Sequence, residues 1–167
     1  LDYAKLESVG LNLQYLDLNA VLAGIVANSK EEIEAAEGQI DIQEIPARIL
    51  ADESKIKQVF TNLIHNACKF KKEEEGLRIH INYRADEDFH FFSIQDNGIG
   101  VDPEFHERVF QMFERLHSDE YVEGTGIGLA ICRKVAKLHG GDIKLISEAG
   151  TGALFVLKLP KTPDAFS

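Results

Sequence analysis

The chain has 167 residues, 44% of them hydrophobic and 28% charged, which suits one globular domain with a core of its own. A formal net charge of −10 argues against nucleic acid as a partner, because binding a phosphate backbone takes clustered Lys and Arg. No apolar run approaches the ~18 to 20 residues of a membrane span. The opening LDYAKLES also lacks the basic and apolar regions of a signal peptide, so the expectation is a cytoplasmic segment without direct membrane contact, whose parent is soluble or anchored elsewhere.

In chain order, residues 1–10 read as the end of a helix begun earlier, residues 11–160 as the domain, and residues 161–167 as a tail. LNLQYLDL alternates like a short strand, with Leu11, Leu13 and Tyr15 on one face. Asn19 is placed to cap a helix carrying Leu22, Ile25, Val26 and Ile33, which fades in KEEIEAAEG. QIDIQEIPARILA reads as two short strands broken at Pro46. Asp52 then caps the clearest helix, in which Ile56, Val59, Phe60, Leu63, Ala67 and Phe70 recur at three- and four-residue intervals. LRIHINY and FHFFSIQ, joined by ADED, form an antiparallel hairpin that ends in DNGIG.

The pattern from Glu104 to Gly124 is weak, a helix-like piece with Phe105, Val109, Phe110 and Phe113 followed by the aperiodic HSDEYVEG, and it reads as a mobile segment. After GTGIG comes a second clear helix, LAICRKVAKLH, stopped by Gly140 and Gly141, and then two strands around EAGTG. Cys68 and Cys132 fit no metal or redox spacing and fall in the helices as small apolar residues. Mixed elements with one apolar face per helix predict an α/β (α+β) two-layer sandwich, with helices against one face of a mixed sheet.

Three stretches carry chemistry. Asn62, Asn66 and Lys69 form one stripe beside the apolar face of the long helix, at ~100° per residue. Two Asn residues inside a helix reduce its stability, and an amide oxygen can ligate Mg²⁺ where an ammonium meets phosphate. DNGIG puts the Asp96 carboxylate at a strand end, before Gly98 and Gly100, whose missing side chains admit a flat ligand. GTGIG places Gly124, Gly126 and Gly128 before a helix, where backbone N–H groups cradle phosphate without net positive charge. Each signal alone has an ordinary structural explanation: a solvated edge, a tight turn, a flexible entry.

Taken in this order, the stretches resemble the catalytic, ATP-binding domain of bacterial sensor histidine kinases, part of the wider family shared with gyrase, Hsp90 and MutL. NLIHNACKF corresponds to the N box, DNGIG to G1, VFQMFERLH to the F box and GTGIGLAI to G2. The resemblance implies a Bergerat fold, a mainly antiparallel sheet with a lid between the F and G2 boxes, and ATP and Mg²⁺ as cofactors. It implies that Asp96 accepts the adenine amino group, that Asn66 ligates Mg²⁺, and that Asn62 and Lys69 approach the phosphates. Phe70 would line the pocket, Arg115 would lie near the γ-phosphate, and the G2 residues Gly124, Thr125, Gly126, Ile127, Gly128 and Leu129 would hold the nucleotide. The implied partners are the dimerisation and phosphoacceptor domain of a homodimeric parent chain and the receiver domain of a response regulator.

Departures from the family pattern bear on the activity. Asn62 stands where water-using members carry a general-base Glu, so water is expected to be a poor nucleophile. His65 projects from another side of the helix and reads as a surface histidine. Ala153 replaces the Ser or Thr of the C-terminal glycine turn, with a modest loss of affinity expected. None of His65, His80, His90, His106, His117 or His139 lies in a phosphoacceptor context. Exposed Phe and Met residues near the lid would dock on the acceptor helix, with core packing as the alternative for Phe110 and Phe113. A Ser/Thr kinase of the anti-sigma type, a superfamily ATPase and a non-catalytic nucleotide-sensing module remain as alternative functions.

Overall fold

Residues 10–111, 125–147 and 150–162 are described by the computed structural model of the chain, with backbone alone at 125–127. The first strand, β1 (Leu13–Leu16), buries Leu16, and of the expected face Leu11 and Leu13 are half-buried while Tyr15 is exposed. Helix α1 (Leu18–Asn28) is capped by Asp17, not Asn19: the Asp17 carboxylate accepts the Asn19 N–H at 3.0 Å. Asn19 serves a different contact, exchanging two hydrogen bonds of 2.9 and 2.8 Å with the backbone of Ile45 and so pinning the chain just before Pro46. The expected single helix breaks at Ser29, and the short α2 (Lys30–Ala35) buries Ile33 alone.

The strands on either side of Pro46 go to different sheets. Strand β2 (Gln39–Ile42) takes the edge of a five-stranded sheet, whereas β3 (Ile49–Asp52) pairs antiparallel with β1 in a separate ribbon. Helix α3 (Glu53–Lys69) follows directly, with the Asp52 side chain accepting the Lys55 N–H. Its buried stripe is Ile56, Val59, Phe60, Leu63, Ile64 and Ala67; Phe70, expected to continue it, is instead the half-buried C-cap. This helix carries the chain over to β4 (Arg78–Ala85), which pairs parallel with β2, as a crossover connection requires.

Antiparallel pairing completes the sheet in the order β2-β4-β5-β7-β6, where β5 is Phe89–Asp96, β6 Asp142–Ser147 and β7 Ala153–Pro160. Residues Phe92, Ile94, Phe155 and Leu157 face inward, and the Phe92 ring meets Phe60 of α3 edge-to-face with centroids 6.0 Å apart. Helix α4 (Thr125–Leu138) packs beside α3, so both long helices cover the same face of the sheet. The result is the expected two-layer α/β architecture with a mixed, mainly antiparallel sheet. Among the described residues no helix is long and apolar enough to cross a membrane.

Candidate functional site

The end of β5 delivers Asp96 to a loop of closely spaced backbone contacts. Its Oδ1 accepts the Gly98 N–H at 2.8 Å and the Ala153 N–H at 3.2 Å. A Cβ at Gly98 would stand 2.6 Å from the Phe70 carbonyl oxygen and 3.0 Å from Asp96 Oδ1, so only glycine fits. That carbonyl accepts the Ile99 N–H at 3.0 Å, which docks the C-terminus of α3 on the loop. Gly100, at φ 74°, takes the left-handed conformation that turns the chain away. Burial pushes the Asp96 carboxyl above the usual carboxylate range, and the two amide bonds only partly oppose it.

Across from this loop, the turn before β7 is built from two left-handed glycines, Gly150 and Gly152, at φ +88° and +87°. A Cβ at Gly152 would lie 2.1 Å from the Asp96 carbonyl oxygen, which is why the turn can approach so closely. The side chain of Ala153 is buried, and the residue serves Asp96 through its main-chain N–H rather than through a hydroxyl. Beside this turn a surface hollow of about 390 Å³ is lined by Gln95, His106, Ser147, Thr151, Gly152 and Ala153 among others. Asp96, Asn62 and Asn66 do not line it.

Asn62 and Asn66 are half-buried on α3, and Lys69 is exposed one turn further on. The amide of Asn62 donates to the Gly128 carbonyl at 3.2 Å, so it joins α3 to the beginning of α4. Gly126 and Gly128 lie inside α4, which begins at Thr125; the expected loop of glycines before the helix is its first turn, where N–H groups have no intrahelical partner. Leu129 is buried in the core. Arg115 and Gly124 lie outside the described residues, as does the segment expected to form the lid, and the side chains of Thr125 and Ile127 are likewise outside them.

At their other ends the same two helices meet through a buried histidine. The Asp52 N–H donates to His139 Nε2 at 3.1 Å while His139 Nδ1 lies 2.9 Å from the Val135 carbonyl. One ring nitrogen therefore accepts and the other donates, which fixes the neutral imidazole with its proton on Nδ1. Burial depresses the His139 pKa accordingly. Asp52 Oδ2 also accepts the Asn12 N–H at 2.9 Å, tying β1 to the same junction.

The chain leading into the F box forms two 3₁₀ turns, Pro103–Phe105 and Arg108–Phe110, and the F box beyond Gln111 lies outside the described residues. Phe110 is buried, edge-to-face with Phe155 at 6.1 Å and under the Arg133 guanidinium at 4.2 Å. It is a core residue and not an exposed docking group; Phe113 lies outside the described residues. Arg133 holds this turn to the sheet through Glu107 at 2.7 Å and the Ile143 carbonyl at 2.8 Å. His65 is on the surface with its ring against the Glu32 carboxylate, and Cys132 is fully buried with its thiol pKa pushed up to about 12.

The structure therefore brings together Asp96, Gly98, the Phe70 carbonyl and the glycine turn, and it joins Asn62 to Gly128. The contribution of His139 is not visible in sequence patterns. The resemblance singles out Ala153 in the glycine turn for a missing hydroxyl, whereas the fold shows its main-chain N–H, and the close approach of Gly152, at Asp96. Among the described residues no group of three or more His, Cys, Asp or Glu is placed to hold a metal. A Mg²⁺ ion here would rest on an Asn amide oxygen, with phosphate and water completing its shell, a donor set that suits it.

Comparison with known proteins agrees with this geometry. The family model described as "Histidine kinase-, DNA gyrase B-, and HSP90-like ATPase" matches residues 51–163. The phytochrome-like protein Cph1 of Synechocystis sp. is 41% identical over 160 residues, which cover 96% of this chain and 21% of that protein. The chain thus spans about a fifth of the length of such relatives. The catalytic domain of histidine kinase ThkA superposes with a TM-score of 0.78 at 27% identity, covering 93% of this chain and 99% of that one. Full-length ShkA in complex with AMPPNP gives 0.80 at 28%, covering 96% of this chain and 34% of that one. ThkA in complex with the response regulator TrrA gives 0.70 at 25%, covering 91% and 42%. With the fold, the Asp96 loop and these matches in agreement, the chain belongs to the histidine kinase, DNA gyrase B and HSP90-like ATPase family, and the ThkA structures it matches are of a histidine kinase.

Proposed function

We propose that residues 11–160 are the catalytic domain of a sensor histidine kinase, which binds Mg·ATP and transfers the γ-phosphoryl group to a histidine on a separate dimerisation helix. The parent would be a homodimer that relays the phosphoryl group to the receiver domain of a response regulator. The observation that carries this reading is the clamping of Asp96 Oδ1 by two main-chain N–H groups, which fixes the carboxylate at a wall kept free of side chains by Gly98.

A carboxylate held in this way offers its other oxygen to the adenine amino group, and guanine, with a carbonyl at that position, is disfavoured. The half-buried position of Asn66 suits a ligand to Mg²⁺, and Lys69 and Asn62 are proposed to approach the phosphates from the same stripe of α3. Bound Mg²⁺ would neutralise charge on the transferring phosphates. Phe70 borders the adenine wall, with Gly100 turning the chain beside it. In the G2 stretch, Gly124, Thr125, Gly126, Ile127, Gly128 and Leu129 are assigned to the phosphate side, where the first-turn N–H groups of α4 favour an anion. Arg115 is assigned to the γ-phosphate. Catalysis in this arrangement is positioning and charge stabilisation, and the Asn at position 62 offers no general base to activate water.

The test is calorimetry and radiolabel transfer on the same protein. Mg·ATP should bind much more tightly than Mg·GTP, and γ-labelled ATP should label the parent's dimerisation hairpin on histidine, giving an acid-labile, base-stable product. Asn66→Ala should abolish the Mg²⁺-dependent gain in affinity while leaving metal-free adenosine binding intact; Asp96→Ala should lose both. An acid-stable product would point to a Ser/Thr kinase, and multiple turnovers without the hairpin to an ATPase.

A further inference from the structure

Ser147, the last residue of β6, is buried beside the purine wall without belonging to any of the family's boxes. Its Oγ accepts the Val101 N–H at 2.9 Å, in the loop that follows Asp96, and donates to the Gly152 carbonyl in the glycine turn. A second, main-chain contact joins the same segments, from the Gly150 N–H to the Ile99 carbonyl at 2.5 Å. Gly152 is followed by Ala153, the residue whose N–H holds Asp96 Oδ1 and which lies opposite Ser147 in the β6–β7 register. Asp96 and Ser147 each bond both the 97–101 loop and the 150–153 turn through their side chains.

We propose that Ser147 is a positioning residue for purine selection: its hydroxyl locks the glycine turn to the Asp96 loop and so holds the carboxylate oriented, without touching the nucleotide. The chemistry requires a hydroxyl, since one small group has to accept from an N–H and donate to a carbonyl at once. Without it, both main-chain groups lose their partner, and the turn that supplies the Ala153 N–H is held to the loop by the Gly150 contact alone, which loosens it. Asp96 then keeps its local bond to Gly98 but loses the partner that comes from across the sheet. This inference rests on the nucleotide reading above.

The experiment measures Kd for Mg·ATP and Mg·GTP by calorimetry, well below the melting temperature, in the wild-type chain and in Ser147→Ala, Ser147→Thr and Asp96→Asn. Ser147→Ala should weaken ATP about 10-fold or more with little change for GTP, narrowing the ratio between them, and Ser147→Thr should restore it. Hydrogen exchange on the wild-type chain supplies a reading that needs no variant: the Val101 amide should be protected without nucleotide. If wild type prefers ATP and Asp96→Asn loses it, but Ser147→Ala keeps both affinity and ratio, the positioning role is wrong and the nucleotide reading stands. A freely exchanging Val101 amide in wild type overturns the positioning role as well. If wild type binds no ATP, the nucleotide reading falls and this inference falls with it.

Discussion

Gly150 and Gly152 share a backbone conformation and differ in their surroundings, so alanine at each separates two physical effects. Both have φ close to +88°, and an L-residue there costs roughly 1–2 kcal/mol. An added Cβ at Gly150 meets nothing within 4 Å, so Gly150→Ala should lose only that strain. At Gly152 the Cβ would sit 2.1 Å from the Asp96 carbonyl oxygen and 3.2 Å from Asn97 Cα, both main-chain atoms that cannot rotate away. Reaching ordinary contact means moving the turn or the β5 end by more than an ångström, and overpacking of that kind adds about 1–3 kcal/mol. Gly152→Ala should therefore destabilise the chain by roughly 2–5 kcal/mol, against about 1–2 for Gly150→Ala. For a domain of this size that corresponds to Tm losses of about 4–20 °C and about 2–8 °C. Thermal unfolding followed by circular dichroism measures the stability difference. Because the displaced atoms belong to Asp96 and Asn97, Gly152→Ala should also lose ATP binding at temperatures where it stays folded, whereas Gly150→Ala should retain most of it. Equal effects of the two substitutions, on stability and on binding, would refute the close approach as the reason for glycine at 152.

Asp96→Asn should stabilise the nucleotide-free chain at neutral pH, because burial raises the folded-state pKa and makes the ionised form unfavourable; urea unfolding at pH 7.5 checks the direction. The same substitution should weaken ATP by roughly 10- to 100-fold, read by calorimetry, as a charge-assisted bond is lost and an amide NH₂ can face the adenine amino group. The folded-state pKa of His139 lies below its ordinary 6.5, so below that value the unfolded chain binds a proton the folded one excludes, and stability should be full above pH 6.5 and fall as pH drops. His139→Gln, which can keep both bonds, should flatten that fall in urea titrations between pH 7.5 and 5.5, leaving the part due to buried His90, whose pKa is also lowered. With thiol pKa values pushed up to about 11 and 12, Cys68 and Cys132 should react slowly with alkylating reagents at pH 7.5 until urea unfolds the chain.

What the sequence makes legible here is local. The α3 stripe, the β4–β5 hairpin and the Asp52 cap each lie within one short stretch whose periodicity or capping chemistry identifies it. The helix before Pro46 shows where that fails: Asp17 and Asn19 are both good capping residues, and burial of Leu18 decides for the earlier one. Pairing of β1 with β3, and of β2 with β4, depends on where Pro46 sends the chain rather than on strand composition. The candidate site divides in the same way. Asp96 and Gly98 are adjacent and readable, whereas Ala153 reaches Asp96 across 57 positions and Ser147 reaches Val101 across 46. Such partners are set by sheet register, which no local pattern encodes.

The two long helices are riveted at opposite extremities, Asp52 to His139 at one and Asn62 to Gly128 toward the other, with the Cys132 thiol lying 3.7 Å from the Val59 carbonyl between them. Two contacts spaced along the pair oppose crossing and sliding of one helix on the other. A shift of the first turn of α4 would thus bear on Asn62 of α3, and a shift at His139 on Asp52 and the strand ribbon it ties.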